Sequence, residues 1–549
     1  MKRFSAAERI QNIKRMQNEA FDLCIIGGGI NGAGVARDAA SRGMKVALIE
    51  ARDFASGTSS KSSKLIHGGI RYLENLEFHL VFEALSERTR LFEMVPHLVH
   101  PLRFMIPLYE NSRVGMFKMG LGMWLYDLLA LFQAPEMHER LNSEESIARM
   151  PMLDATHLKG SYVYSDAYMD DDRLVIETLR SAHELGAVCT NYVKATGATF
   201  DRNGKVEAVE CQDQLSYQKF QIRAKHVVSC VGPWTDELGP KLLKEWTSIL
   251  RPTKGIHLTF QKSRLPLESA VVMAAEKSDR IVFGIPRHEM VVIGTTDTDF
   301  RQSPDSVVAT EEDVKYLLDV VRTYFPGAKI TQEDIVASYA GVRPLVKDAS
   351  SNEGKTSREH TIIDDDCGVT LVAGGKYTTY RLIAEQVVAH CLRFFTLEEK
   401  SHFSRSDTAR PLNPFTDQES FRRALVESKV WARHSGLTHE ETLRLAQRYG
   451  MEGAAILQNA PEGYSYWQIE AVQAIDRTLC LNLKDFYARR VPLFLADPKH
   501  GLPYLESICT VFASRFSWSE AEIQRQKSDL LEYIEKELAW RKAFTPGLI

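Results

Sequence analysis

The first organised run of hydrophobic and polar positions begins at Phe21. FDLCII (21–26) is an unbroken apolar stretch, too short for a helix, and reads as a buried strand. It stops at the glycine-rich GGGINGAG. VARDAASRGMKVALIE then reads as a helix followed by a second strand. The same alternation returns later: GVTLVAGG is an apolar strand turning at Gly374 and Gly375, and the segment after it spaces Leu382, Ile383, Val387 and Leu392 as one face of a helix. Between them, AVVMAAEKSDRIVFGIPRHEMVVIGTTD predicts antiparallel strands. From about Pro411 the pattern becomes helical, with FRRALVESKVWARHSG, HEETLRLAQRYG and SEAEIQRQKSDLLEYIEKELAWRKA carrying helix-spaced apolar faces.

The strand, glycine turn, helix and strand at 21–50 form a βαβ unit with G-x-G-x-x-G spacing. Gly27 permits the tight turn, Gly29 lets backbone approach a pyrophosphate, and Gly32 lets helix pack on strand; Gly28 and Asn31 belong to the same turn. Glu50 ends the second strand, where a carboxylate accepts hydrogen bonds from a ribose and repels a 2′-phosphate. The unit predicts a dinucleotide, FAD or NAD. FAD is favoured because the fingerprint opens the chain and later segments look like the rest of a flavin fold. TSSKSSKLIHGGIRYLE (58–74) gathers hydroxyls, glycines and cations into one loop and offers Thr58, Ser59, Ser60, Ser63, Lys64, Leu65, His67 and Gly69 as cofactor contacts. HVVSCVGPWTD (226–236) is a strand ending at a small-residue turn, which adds Gly232 and Trp234. The turn at Gly375, Lys376 and Thr378 opens a helix whose N–H groups suit an anion or a flavin carbonyl.

Together GGGINGAG, TSSKSSKLIHGGIRYLE, SCVGPWTDEL, IGTTDTDF, GVRPL and GGKYTTYRLIAE resemble the FAD-dependent glycerol-3-phosphate dehydrogenases of the amino-acid-oxidase-like flavoprotein superfamily, over roughly residues 20–395. The tail from Thr408 to Ile549 resembles that family's helical C-terminal domain. The resemblance implies an α/β fold in which a doubly wound, Rossmann-like FAD-binding domain (20–95, 155–240 and 355–400) interleaves with an antiparallel-sheet substrate domain (96–154 and 241–354). A C-terminal all-helical domain (405–549) follows. It also implies oxidation of sn-glycerol 3-phosphate to dihydroxyacetone phosphate, with electrons passed to a quinone. Val193 matches the position whose backbone meets the adenine.

A phosphorylated polyol carries about two negative charges and calls for Arg or Lys from separate segments. Arg71, Arg343 and Lys376 fit, and Tyr72 adds a hydroxyl. His257, in RPTKGIHLTF, matches a family active-site position and is the candidate base that takes the C2 hydroxyl proton. Arg343 could instead polarise that oxygen or hold the phosphate, and His67 competes for the role of base.

Composition narrows this reading. The 549 residues are 44% hydrophobic and 26% charged, which is globular, and the formal charge of -4 gives no global field for nucleic acid. Eight scattered cysteines without a C-x-x-C pair fit reduced thiols in the cytoplasm, and no flavin loop carries an attachment signature, so the FAD is expected to be non-covalent. The N-terminus lacks the apolar core of a signal peptide. The most apolar stretch, 114–132, contains Lys118, Asp127 and three glycines, so it is expected either to lie in a membrane interface or to be buried, and not to span. That leaves peripheral contact with the inner face of the cell membrane, and a homodimer, as further expectations. Asp170–Asp172 read as helix-capping acids rather than metal ligands, and no metal site is expected. The rival readings are a glycerol-3-phosphate oxidase releasing peroxide, an amine oxidase on the same scaffold, and a non-catalytic flavin-binding regulatory protein.

Overall fold

The computed structural model describes residues 2–274, 280–347, 356–357 and 360–544, without the side chains of Arg71, Asn75, Thr356 and Ser357. β1 (Ala20–Ile26), α1 (Ile30–Ser41) and β2 (Val46–Ile49) form the βαβ unit that the apolar pattern predicts. Leu23, Cys24 and Ile25 and all of β2 are buried, so these strands need no polar alternation. The chain then crosses to a second sheet through β3 (Val99–Tyr109), helix α2 (Met116–Leu129) and β4 (Leu158–Met169). Helix α3 (Asp171–Glu184) leads back to the first sheet, where β5 (Lys219–Ser229) pairs with β1. β6 (Thr253–Gln261), β7 (Met290–Gly294) and β8 (Ile335–Arg343) return to the second. β9 (Val369–Gly374) and helix α4 (Tyr380–Cys391) complete the first.

In the first sheet β9, β5, β1 and β2 run parallel in that order, continued by Val188–Thr190, while His360–Asp365 lies antiparallel on the outer edge. Helix α1 packs against both α3 and α4. The turns that follow β1, β5 and β9 therefore open side by side at the carboxyl ends of parallel strands, the place where such sheets bind ligands. In the second sheet β6 is flanked antiparallel by β7 and β8, with His257 opposite Tyr339. β4 lies within the 155–240 span assigned to the FAD-binding domain from sequence, yet it pairs along β3 in the second sheet, and Leu65–Ile66 pairs with β4 as well. The reason is burial: β4 is enclosed almost throughout and needs a partner on both edges.

From Gln418 the chain is predominantly helical, with side-chain caps at Asp417, Thr438 and Ser519 stopping the helices upstream. The last long helix is α5 (Glu520–Glu537). These helices are not a free appendage, because Phe486, Leu493, Phe512 and Leu530 share one apolar core with Ile256 and Leu258 of β6. Helix α2 divides its surface: Met123, Tyr126 and Asp127 are buried, whereas Phe117, Leu121, Trp124 and Leu128 face outward, Trp124 with 60% of its surface exposed. Among the described residues no helix is long and apolar enough to cross a membrane.

Candidate active site

The three turns enclose a cleft of about 500 Å³. Gly27 sits at φ +112°, and a Cβ there would lie 2.5 Å from the Cys230 carbonyl oxygen. A Cβ on Gly32 would overlap the Gly27 carbonyl, so α1 approaches β1 only because position 32 is glycine. Gly29 and Asn31 line the cleft at the N-terminal end of α1, and the Ile30 N–H donates to Ser59 Oγ at 3.0 Å. Asn31 also bonds the Gly374 carbonyl at 3.4 Å, tying the first turn to the third. Glu50 lines the cleft while accepting N–H bonds from Gly28 (2.8 Å) and Arg52 (2.9 Å). Burial pushes its carboxyl above the usual carboxylate range, and the two N–H bonds oppose the push.

The polar loop divides between lining and scaffolding. Thr58, Ser59 and Ser63 line the cleft, and Thr58 Oγ1 donates to the Val342 carbonyl at 2.6 Å. Lys61 and Ser62, in the same motif but not singled out from sequence, line it too. Lys64 does not fit the contact expected of its side chain: it is 1% exposed, and its ammonium donates to Asp171 at 2.5 Å and to the Ser60 carbonyl at 3.3 Å. A buried ammonium must find a carboxylate, and Asp171 supplies it. Ser60 is buried beneath this pair, and Leu65 is a buried strand residue opposite Tyr168. The His67 backbone exchanges hydrogen bonds with the Thr378 hydroxyl at 3.2 and 3.3 Å, joining the loop to the third turn. Gly69 takes φ +73° beneath the Tyr72 ring.

Gly232 and Gly375 line the cleft at φ +55° and +90°. Trp234 also lines it, held by Asp305 at 3.0 Å from Nε1 and by the Arg52 guanidinium 4.5 Å above its ring. Val193 turns its N–H to the Glu50 carbonyl at 2.8 Å, and its neighbours Lys194 and Ala195 form the cleft wall. Asp305 and Arg52 carried no signal in the sequence, because only the folded chain brings them to Trp234.

His257, Arg343 and Lys376 arrive from β6, β8 and the third turn and line the same cleft. His257 is 2% exposed, stacked on Tyr339 with ring centroids 4.8 Å apart, and its Nε2 lies 2.9 Å from Ser63 Oγ. Its Nδ1 is buried with no hydrogen-bond partner among the described residues. Burial, with the Arg343 and Lys64 charges adding to it, holds the imidazole pKa well below the ordinary histidine value. Arg343 is oriented by Asp297 (3.0 Å) and Thr295 (2.8 Å). The Lys376 ammonium sits 3.8 Å from the centre of the Tyr72 ring. The side chain of Arg71 lies outside the described residues.

The acids at 170–172 do open helix α3: Asp171 and Asp172 lie in its first turn and accept the backbone N–H groups of Asp172 (2.9 Å) and Arg173 (2.7 Å). Helix α3 does begin at Asp171, but Asp170 makes no side-chain cap and instead pairs with Arg287 at 2.6 Å and His288 at 3.1 Å, while Asp171 holds Lys64 and Ser62. Buried carboxylates need cations as partners besides the helix end. Cys367 stands in the turn before β9, at the opposite end of that strand from Gly374.

The arrangement fits FAD. A glycine turn without room for a Cβ and the N-terminus of α1 suit a pyrophosphate, Glu50 suits a ribose, and the far wall carries a histidine with an unpartnered ring nitrogen beside two cations. The family described as FAD dependent oxidoreductase matches residues 22–381, and the C-terminal domain of alpha-glycerophosphate oxidase matches residues 419–523. An aerobic glycerol-3-phosphate dehydrogenase of Staphylococcus aureus (strain MRSA252) is 34% identical over 95% of this chain and 96% of its own. The crystal structure of glycerol-3-phosphate dehydrogenase from Bacillus halodurans complexed with FAD is 30% identical and superposes with a TM-score of 0.81 over 97% of this chain and 98% of that one. The L-alpha-glycerophosphate oxidase of Mycoplasma pneumoniae, at 17% identity and a TM-score of 0.55 over 71% of this chain and 98% of its own, shares the fold. A glycine turn suited to a dinucleotide, a second sheet beside it and a helical tail thus coincide with similarity along nearly the whole length, and the chain belongs to the FAD-dependent glycerol-3-phosphate dehydrogenase family.

Proposed function

We propose that this protein oxidises sn-glycerol 3-phosphate to dihydroxyacetone phosphate with non-covalently bound FAD and passes the electrons to a quinone at the inner face of the cell membrane. The observation that carries the reading is the convergence of His257, Arg343 and Lys376, from three separate segments, on the cleft whose other end is the Gly27–Gly29 turn. Bound FAD supplies the chemistry of accepting a hydride and later yielding two electrons. Arg343 and Lys376 hold the substrate phosphate, the first as a fork aimed by Asp297 and Thr295, the second as a point charge. His257 is neutral at physiological pH because burial disfavours its cation, so a substrate C2 hydroxyl that takes the place of Ser63 Oγ at Nε2 can pass its proton there. Ser63 Oγ, 2.9 Å from that nitrogen, marks the direction from which a hydroxyl approaches.

The outward side chains of α2, Phe117, Leu121, Trp124 and Leu128, support contact with a lipid surface, where a quinone dissolves. Anaerobic addition of sn-glycerol 3-phosphate to the purified holoenzyme tests the reading. Rapid bleaching of the visible flavin band, reversed by a quinone, is expected. Bound flavin that stays oxidised would overturn the substrate, and reoxidation by oxygen with stoichiometric peroxide would replace the quinone with the oxidase alternative.

A further inference from the structure

Among the described residues, every one that lines the cleft precedes residue 378, so the C-terminal helices form no part of its wall. They nonetheless hold both ends of the loop that forms its wall. At the front end, Asp53 is fully buried three residues after Glu50. It accepts from Arg490 at 2.8 and 2.9 Å, from Arg489 at 2.8 Å and from Asn191 at 3.0 Å. Both arginines belong to Phe486–Arg490, a single wide helical turn of the C-terminal domain, and Asp485, the residue just before it, bonds Arg489 as well. Burial alone would raise the Asp53 carboxyl, and the two guanidiniums reverse this and hold it at about 2. At the back end, the Lys61 ammonium meets Glu537 of α5 at 3.0 Å, enclosed between the Tyr533 and Tyr339 rings at 5.7 and 5.9 Å. Glu537 is fixed in turn through its carbonyl, which accepts from Ser338 at 2.5 Å. Between the anchors lie Ser56, Gly57, Thr58 and Ser59, all lining the cleft.

We infer that the C-terminal domain positions the cofactor-binding loop through these two ion-pair anchors, the fully buried Asp53 with Arg489 and Arg490, and the largely enclosed Lys61 with Glu537. Burying charges brings little net stability but enforces one geometry, because a displaced loop would leave an unpaired charge in the interior. Asp53, Arg489, Arg490 and Glu537, which do not line the cleft, are positioning residues that act through the loop. The inference rests on the assignment of this cleft to FAD. It is separable from it, since a native enzyme purified without flavin would sink that assignment, whereas the present test compares variants with a flavin-loaded native enzyme.

The test uses full-length holoenzyme carrying Glu537→Gln or Arg490→Lys, with Asp476→Asn as a control that weakens the exposed Arg515–Asp476 pair of the same domain. FAD release is followed by the rise of free-flavin fluorescence, together with the visible flavin spectrum, kcat and KM, and the unfolding midpoint. Both anchor variants are expected to release FAD about tenfold faster than native enzyme and to shift the flavin band, with the control unchanged. Native release rates and spectra in folded anchor variants would overturn the proposal. So would variants recovered unfolded at the assay temperature, because they would assign the pairs to global stability.

Discussion

Replacing His257 with glutamine keeps a polar group near Ser63 but removes the capacity to accept a proton. Positioned general bases contribute roughly 10²–10⁴-fold to rate. The structure places His257 toward the lower end of that range, because burial and the neighbouring Arg343 and Lys64 charges depress its pKa and make it a weaker base than a solvated histidine. A loss of about 10²-fold, or roughly 2.7 kcal/mol of barrier at 1.36 kcal/mol per tenfold, is therefore expected in flavin reduction. The assay is anaerobic rapid mixing with sn-glycerol 3-phosphate, which isolates this half-reaction from the acceptor. In the native enzyme the rate should stay level as pH falls through 6.5, the ordinary histidine value, and decline only well below it. Stability carries the same sign. The unfolded chain takes up a proton near pH 6.5 while folded His257 does not, so its contribution is fully present above that value and is lost progressively as pH falls toward the depressed folded pKa. A variant that reduces its flavin within about threefold of native, with the acid limb intact, would refute the base assignment and move it to His67.

Arg343→Lys retains the charge but loses the fork held by Asp297 and Thr295, and should raise the KM for glycerol 3-phosphate about tenfold, with a smaller effect on kcat; an unchanged KM would detach Arg343 from the phosphate. Trp124→Ser with Leu128→Ser removes apolar bulk from the outward face of α2 and should lower sedimentation with anionic phospholipid vesicles at least fivefold without moving the unfolding midpoint. Unchanged vesicle binding, or a change in oligomeric state instead, would reassign that face to a second copy of the chain.

Local rules fixed part of this molecule. The apolar run at 21–26, the glycines at 27, 29 and 32 and the acid at 50 specify their unit through backbone sterics and spacing, and the structure realises it residue by residue. The polar motifs at 58–74, 226–236 and 374–378 were legible as walls of one site for the same reason, since small and hydroxylated residues after a buried strand leave backbone free to meet a ligand. The side-chain roles within them were not. Lys64 looked like a cofactor contact and is an interior ion pair; Lys61 and Ser62, its neighbours in sequence, line the cleft. Asp170–Asp172 looked like a helix start and are one, but sequence gave no sign that Asp170 and Asp171 also neutralise cations from two other segments. Helix α2 showed its apolarity in sequence but not which face its neighbours would leave uncovered. The sequence by itself determined the cofactor turn, the family and the chemistry that the site must perform, because those depend on near neighbours along the chain. Tertiary structure alone decided which charges meet, including the Asp53 and Lys61 anchors: 68 basic and 72 acidic side chains allow far too many pairings for composition to choose among, and burial selects the few that can be satisfied together.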